Sequence, residues 1–408
     1  MRTFLKIAWR NITRNRKRSL ITISAVGFGL GALIFIWSFV EGAHFQMIDN
    51  YTSLSIGHIQ IHARGFHEHQ KLETYIEDPA PLLERIRAIE GVRYSAPRIR
   101  AQGLISSSES SSGALILGVD PDKETRISSL HKSLGEGNFL SAEENDTIVI
   151  GKDLAAGLKV SLDDKIVIMS QALDGSIAAS AYYISGLIDS GVEEIDRGLV
   201  LITHRAAENL FVMQDKTSEI ALKLQRGDRA QEMADLIRSR LDTDTLEILP
   251  WQTVSPIMKQ WIDFDNTFIW VIVFIVMIVV AIGILNTVLM GVLERTREFG
   301  ILLALGTKRG QIVTMVAWES VFLGCIGSLM GAILGISLTA LFHVQGIDLG
   351  IFTSALSSFY MDPVIYPRLN TMYTTVSTAL VLITSICVSI YPAWLASRLK
   401  PIEAIRSL

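Results

Sequence analysis

The chain is 408 residues long, with 49% hydrophobic and 19% charged residues. Soluble enzymes of this length are usually less apolar and more charged, so the composition excludes an ordinary soluble enzyme and predicts that lipid solvates part of the chain. The formal net charge of −4 excludes little, because a membrane protein can sort opposite charges to opposite sides.

Residues 1–19 combine basic charge with an amphipathic pattern. On a helical wheel, one arc is apolar and the opposite arc is basic: Phe4, Leu5, Ala8, Trp9 and Ile12 against Arg2, Lys6, Arg10 and Arg14. Helices of this kind bind anionic lipid at the membrane surface. We expect an interfacial helix on the cytoplasmic side.

Four apolar stretches are long enough to cross about 30 Å of hydrocarbon as helices. None contains Lys or Arg, which are costly at the bilayer centre. The predicted transmembrane helices cover residues 20–40, 268–293, 312–342 and 376–395. The first stretch is longer than the roughly 7 to 15 residues of a signal-peptide core, which favours an uncleaved anchor.

Basic residues are unevenly distributed between the connecting segments. They concentrate in residues 1–19, in the loop 294–311 and in the tail 396–408, whereas the loop 343–375 holds only Arg368. The positive-inside rule therefore places both termini in the cytoplasm and residues 41–267 outside. The sequence predicts a multi-pass protein of the cytoplasmic (inner) membrane.

The large segment between the first two spans reads as a mixed α/β extracytoplasmic domain. Residues 58–62 and 218–224 alternate as strands, and each is followed by residues with apolar side chains at helical spacing. We expect two strand–helix–strand units in one sheet, the second helix capped by Asp228 and Gln231. His58, Gln60 and His62 would form a solvent-facing polar edge.

Short β-type runs between those units predict an inserted β subdomain. They cover residues 147–150, 165–169 and 181–187, separated by Gly and Asp turns, and a serine-rich hairpin tip is expected at 106–113. After the domain, apolar side chains recur at helical spacing up to the second span: Val254, Ile257, Met258, Trp261 and Ile262. This pattern predicts a continuous helical stalk or, alternatively, a surface helix on the domain.

Catalytic and metal-binding patterns are missing from the sequence. There is no phosphate-binding loop, no nucleophile elbow and no His-Glu-x-x-His zinc helix, so we predict no catalytic residues, no metal and no bound cofactor. His58, His62, His67 and His69 lack a clear acidic or cysteine set that completes a ligand shell. Cys325 and Cys387 fall inside predicted spans, where we expect them to pack as small apolar residues.

Residues 294–306 carry the most informative motif, and we call them the coupling segment. The segment is charged at one end and apolar at the other, which would let it present Phe299, Leu302 and Leu303 to a groove in a partner while its charges fix the register. A short loop helix of any kind could share this composition.

The motif itself is more specific. Glu-Arg-Thr-Arg-Glu-Phe-Gly-Ile-Leu-Leu-Ala-Leu-Gly at 294–306, preceded by Ile-Leu-Asn-Thr at 284–287, resembles the coupling helix of the ABC transporter permease family that includes lipoprotein-releasing, macrolide-exporting and FtsX-type proteins. Residues 392–406 and Trp9-Arg10-Asn11 resemble the same family's C-terminal and N-terminal signatures. The outer domain resembles the family more loosely, at residues 118–121 and 150–155.

The resemblance implies a non-catalytic permease that contacts a dimer of separate ABC ATPase subunits, which would bind the ATP and Mg. A second permease subunit, the same or homologous, would complete the machine, and stalks would move the outer domains. Membrane lipids and a periplasmic carrier or adaptor are the other expected partners, and nucleic acid is not. The implied ATPase-coupling residues are Glu294, Arg295, Arg297, Glu298, Phe299, Gly300, Leu302, Leu303 and Gly306.

Three functions fit this resemblance. We expect no ATPase domain fused at the N-terminus, and the loop between spans three and four is long; both features are more similar to permeases that extract lipoproteins toward the periplasm. A tripartite efflux permease for small molecules or peptides is the first alternative. An FtsX-like regulator of a periplasmic enzyme is the second.

Small residues and span ends complete the candidate sites. Gly27 and Gly31 in the first span, and Gly327, Gly331 and Gly335 in the third, permit close helix packing, either within one subunit or between subunits. Lipidated substrate would pass between the first and second spans of facing subunits, near Phe39, Phe268 and Val271. Glu319, at the inner end of the third span, is expected to lie among lipid headgroups.

Overall fold

The computed structural model describes residues 10, 12, 14, 16–241 and 244–398. Most of the predicted interfacial helix, and the tail beyond residue 398, lie outside the described residues. The chain forms two units. The membrane unit comprises Ile262–Leu349 with the segments up to Phe45 and from Val364, and the outer unit comprises Gln46–Trp261 and Gly350–Pro363.

Four helices in the described part of the chain are long and apolar enough to cross a membrane, which confirms the predicted number of membrane helices. The helices, numbered in chain order, are α1 Arg16–Tyr51, α2 Phe66–His69, α3 Pro79–Arg87, α4 Pro121–Ile127, α5 Lys152–Leu158, α6 Glu193–Gly198, α7 His204–Phe211, α8 Ala230–Arg238, α9 Trp251–Val254, α10 Pro256–Glu294, α11 Thr296–Ala304, α12 Arg309–Gln345, α13 Thr353–Ser357 and α14 Thr371–Ser397. The spanning helices are α1, α10, α12 and α14.

Helices α1 and α10 are longer than a bilayer requires. At 1.5 Å per residue their 36 and 39 residues extend about 54 Å and about 58 Å, against about 30 Å of hydrocarbon. Part of each helix therefore extends beyond the hydrocarbon. Helix α10 is unbroken from Pro256, so the apolar pattern from Ile257 to the second span belongs to one continuous helix, while Val254 lies in the short helix α9.

The outer unit is built on one mixed sheet. The strands of the chain are β1 Ile59–Ala63, β2 Ile76–Glu77, β3 Val92–Ser106, β4 Ser111–Val119, β5 Leu134–Gly137, β6 Thr147–Gly151, β7 Lys165–Gln171, β8 Ile177–Ile188, β9 Leu199–Thr203, β10 Lys216–Thr217, β11 Glu219–Leu224, β12 Leu246–Pro250, β13 Ile347–Asp348 and β14 Val364–Ile365. The main sheet has the order β12-β1-β11-β3-β4-β9-β6-β8-β5, and β7 pairs with β3 and β8.

The two predicted strand–helix–strand units do share this sheet. The units are β1-α3-β3 and β11-α8-β12, and β1 is antiparallel to both β11 and β12. The resulting order β12-β1-β11-β3 is the split βαβ arrangement of ferredoxin-like folds. The predicted β runs between the units form β6, β7 and β8 of the inserted subdomain, whose core contains Ile148, Ile166 and Ile184.

Three local expectations were wrong. His58, Gln60 and His62 are buried, because β1 lies between β11 and β12 and not at an edge. Asp228 does not cap α8, because its carboxylate accepts hydrogen bonds from the Arg226 side chain and the helix begins after a 3₁₀ turn. The two cysteines are exposed on α12 and α14 instead of packed within the chain.

Candidate coupling site

The coupling segment forms α11, a helix with one buried and one exposed face. Phe299 is 1% exposed in the core of the membrane unit, and Leu302 and Leu303 pack against that core. Leu305, just beyond the helix, is 78% exposed and Ile301 is 45% exposed. Of the three side chains expected to enter a partner groove, Phe299 is buried in its own chain, and Leu302 and Leu303 are partly buried against the same core.

The helix ends in a Schellman motif with Gly306 as the residue in the left-handed conformation. The Gly306 N–H donates to the Leu303 carbonyl, and the Thr307 N–H donates to the Leu302 carbonyl. Gly306 has a φ of 93°, a backbone conformation that glycine adopts without steric cost. This turn fixes the direction in which the chain leaves the coupling segment toward α12.

A buried ion cluster holds the start of the helix. Glu319 on α12 accepts from Arg295 Nη1 at 3.2 Å and from Arg18 Nη2, on α1, at 2.9 Å. The three side chains are only 9% to 14% exposed. We expected Glu319 to lie among lipid headgroups. Instead, its carboxylate is paired with two guanidiniums inside the membrane unit.

Glu298 and Glu294 extend this cluster toward the surface. Glu298 accepts from Arg295 Nε at 2.9 Å and from Arg14 Nη2 at 2.7 Å, and Glu294 lies 3.4 Å from Arg18 Nη1. Partial burial opposes ionisation of Glu298, but the hydrogen bonds from the two arginines hold its pKa below the usual range. Near the start of α11, the Arg295 side chain is buried and ion-paired within the chain, whereas the Arg297 side chain is exposed.

The glycines predicted for helix packing meet each other within the chain. A Cβ on Gly331 would lie 2.6 Å from the Gly27 carbonyl oxygen, and one on Gly335 would lie 2.9 Å from the Gly31 carbonyl oxygen. A Cβ on Gly327 would lie 2.7 Å from that of Val26. Helices α1 and α12 therefore approach at backbone distance, and this stripe packs within one subunit.

The candidate entry residues lie on two helices of the membrane unit. Phe268 and Val271 on α10 are 54% and 49% exposed, and Phe39 on α1 is partly buried. Close to these residues, α1 and α10 are in contact through two tryptophans: the ring centre of Trp37 lies 5.7 Å from that of Trp270. Much of α10 presents apolar side chains outward, to lipid or to another protein.

Two buried polar side chains of the outer unit, Arg98 and His62, are held by hydrogen bonds to protein groups. Arg98 is fully buried between Glu124 and Glu219, at 2.6 Å and 3.0 Å. The two ring nitrogens of His62 lie 3.0 Å from the Ser218 carbonyl oxygen and 3.1 Å from Gln60 Oε1. Within the described residues, no group of three His, Cys, Asp or Glu side chains is arranged to hold a metal.

Sequence reasoning missed the pairing of Arg18 with Glu319. The available signal was a single acid near the start of the third apolar run and a base at the start of the first. Opposite charges at the same end of two spans are a reason to expect a buried pair, because an unpaired charge there is costly.

Long helices, an α/β domain between the first two of them, and a helix anchored between spans define this chain as a membrane permease. Residues 19–240 match the family described as MacB-like periplasmic core domain, and residues 270–401 match the FtsX-like permease C-terminal family. The chain belongs to this family of ABC transporter permeases, of the LolC, LolE and MacB type.

Several relatives match along most of the chain. It is 25% identical to the lipoprotein-releasing system transmembrane protein LolC of Xylella fastidiosa, over 95% of this chain and 93% of that protein. It is 22% identical to LolE of Haemophilus influenzae over all of both chains. It is also 22% identical to the macrolide export ATP-binding/permease protein MacB of Agrobacterium fabrum, over 98% of this chain and 60% of that protein.

A solved structure with a similar outer domain is the periplasmic region of MacB from Actinobacillus actinomycetemcomitans. The TM-score is 0.36 and the identity 12%, with 50% of this chain and 94% of that chain covered.

Proposed function

We propose that this chain is a non-catalytic permease subunit that extracts lipoproteins from the inner membrane and passes them toward a periplasmic carrier. A separate ATPase dimer would bind ATP and Mg and drive the movement, and a second permease subunit would complete the complex. The full-length similarity to lipoprotein-releasing proteins supports this substrate, since the macrolide exporter is matched over only 60% of its length.

The observation that carries the proposal is the anchoring of α11. A helix held to α1 and α12 by Phe299 and the Glu319 cluster cannot move without moving those spans. Its exposed face, with Arg297, Ile301 and Leu305, is free to contact a partner. In this proposal the exposed face contacts the ATPase, and the buried residues of the segment transmit the force.

The proposed orientation places both termini and α11 in the cytoplasm, with residues 41–267 in the periplasm. A cysteine at Ser110 should then react with an impermeant thiol reagent in spheroplasts, and one at Thr307 should not. Cys325 and Cys387 are exposed in the chain, so both are replaced by serine first. The reverse labelling pattern would contradict this orientation.

Photocrosslinking tests the substrate. Crosslinkers at Phe268 and Val271, in the complex before ATP is added, should capture lipoprotein. The control position is Ile333 on α12, which is 59% exposed but lies outside the proposed entry path, and it should capture lipid alone. Capture of small molecules at Phe268 would favour the efflux function, and capture of a cell-wall hydrolase would favour the regulatory one.

A further inference from the structure

The loop between the third and fourth spans has an ordered middle that packs in the outer unit. This segment, Gly350–Pro363, contains a short 3₁₀ turn and α13. It is joined covalently to α12 and, through β14, to α14. We call the segment the strap.

Tyr360 is the anchoring residue of the strap. Its side chain is buried, and its hydroxyl donates a hydrogen bond to Glu194 Oε2 at 3.0 Å. Its ring meets that of Tyr51 edge to face, with centres 4.8 Å apart. Its carbonyl oxygen accepts from Asn50 Nδ2 at 3.0 Å. One residue therefore contacts both the end of α1 and helix α6.

The backbone at Tyr360 is in an unusual conformation. Its φ is 58°, in the left-handed region that bulky residues seldom adopt. Such a conformation persists where the surrounding contacts determine it, and it is common at functional positions. Here the conformation directs the phenol toward Glu194 while the carbonyl faces Asn50.

Helix α6 is a firm attachment point for the strap. The Asp196 carboxylate accepts from the backbone N–H groups of Ser190 and Gly191, at 2.8 Å and 3.0 Å. A Cβ on Gly151 would lie 2.2 Å from the Asp196 carbonyl oxygen, so α6 and the end of β6 are in backbone contact. A pull on Glu194 is therefore transmitted to the inserted β subdomain.

The segment that leads from the strap to α14 is also fastened to α1, within the membrane unit. The Arg368 N–H donates to the Ser38 carbonyl oxygen at 2.7 Å. A Cβ on Gly42 would lie 2.2 Å from the Tyr366 carbonyl oxygen, so the two backbones touch. Ser38 and Gly42 thus contact the segment that leads to α14.

We propose that the strap is a force-transmitting link from the third and fourth spans to the inserted β subdomain, with Tyr360 and Glu194 as its positioning residues. A loop fixed only at its ends would absorb span movement, whereas one fixed at its middle passes that movement on. The inference rests on the proposed transport function, and it adds the loop between the third and fourth spans to α1 and α10 as a connection that carries force.

The first test measures the link itself, without substrate or ATPase. Hydrogen–deuterium exchange of the purified full chain reports the amides of Phe359, Tyr360 and Met361, which bond within the strap. Tyr360→Phe and Glu194→Leu should each speed their exchange roughly tenfold, as for the loss of one hydrogen bond to a charged group. Unchanged exchange in both variants would overturn the link even if the chain proves to be a transporter.

The second test measures lipoprotein released per ATP hydrolysed in proteoliposomes. Tyr360→Phe, Glu194→Leu and the double variant should lower this ratio equally, because all three break the same bond, while ATP hydrolysis continues. Glu194→Gln keeps an oxygen that can accept the hydrogen bond from Tyr360, so its ratio of lipoprotein released to ATP hydrolysed should match that of the unmodified chain. Tyr183→Phe and Glu193→Gln, on exposed side chains, are the matched controls.

The outcomes of the second test separate the two proposals. Faster exchange with an unchanged ratio would overturn the force-transmitting role and leave lipoprotein release intact. Additive losses in the double variant would also contradict the link. Failure of the unmodified complex to release any lipoprotein would refute the proposed substrate, and the exchange result would still decide whether the strap is fastened through Tyr360.

Discussion

The Glu319 carboxylate lies 3.2 Å from the Arg295 guanidinium, and neither side chain is more than a tenth exposed. The pair joins the residue before α11 to the third span, and Arg18 adds the first span through the other oxygen of the carboxylate. Since two bases share one acid at this depth, the acid is the member whose loss has the largest effect.

Glu319→Gln should therefore destabilise the membrane unit. The two buried guanidiniums would keep only the more exposed Glu298 and Glu294 as acidic partners, and breaking a buried ion pair costs roughly 3 kcal/mol. The thermal midpoint of the purified chain in detergent should fall, and less ATPase should copurify. Glu143→Gln, on an exposed loop, is the control for removing an acid. Equal midpoints for Glu319→Gln and the unmodified chain would show that the cluster does not hold α11.

The two faces of α11 should separate stability from partner binding. Phe299→Ala leaves a cavity in the membrane unit and should cost about 3–5 kcal/mol of stability. Leu305→Asp changes an exposed side chain, so its effect on stability should stay within about 0.5 kcal/mol. Copurification should nevertheless show a clear loss of ATPase from Leu305→Asp. If Leu305→Asp and Ile301→Asp both retain normal ATPase, the contact lies elsewhere, with residues 398–406 as the next candidate.

Packing of α1 on α12 gives a prediction that does not depend on function. Gly331→Ala places a Cβ against the Gly27 carbonyl oxygen, and backbone cannot move aside as a flexible side chain can. We expect a loss of about 1–3 kcal/mol, typical of overpacking. Gly283→Ala is the matched control, because its Cβ would make an ordinary contact at 3.5 Å with Ala25. Thermal midpoints and membrane levels of the two variants provide the comparison.

The spans could be predicted from the sequence because a helix in lipid needs a long run of apolar residues, and such a run is visible without knowledge of the rest of the fold. The sequence could not predict that α1 continues to Tyr51, because residues beyond the hydrocarbon are polar and their helicity depends on packing. The two strand–helix–strand units were predictable for a similar reason. Each has its own local periodicity, so no distant contact was needed to recognise it.

Expectations failed where distant residues decide burial. Alternation in residues 58–62 was interpreted as a half-exposed strand, yet His62 bonds Ser218 and His58 bonds Leu224, both on or next to β11. The face of α11 that is buried depends on Glu319 and on Arg18, about 280 residues earlier in the chain. Local patterns define the faces of an element, but they do not show which face the rest of the fold covers.

The burial of His58 predicts a pH dependence for the outer domain. Burial lowers the pKa of His58 to about 4, with the nearby Lys223 charge acting in the same direction and Asp228 against it. The neutral ring accepts a hydrogen bond from the Leu224 N–H at Nδ1, 2.9 Å away, which a protonated ring could not do. In the unfolded chain the pKa returns to about 6.5.

Because the folded pKa is the lower one, the unfolded chain binds more protons between these values, and stability falls as the pH decreases from about 6.5 toward 4. The loss across that window is about 3 kcal/mol. Burial also lowers the pKa of His62, so His58→Asn, which keeps an acceptor oxygen for Leu224, should reduce this slope without abolishing it. The free energy of opening of β11 amides, measured by hydrogen exchange between pH 7 and pH 4.5, checks this. His69→Asn, at an exposed ring, is the control, and a slope in His58→Asn equal to that of the unmodified chain would show that His58 is not the group responsible.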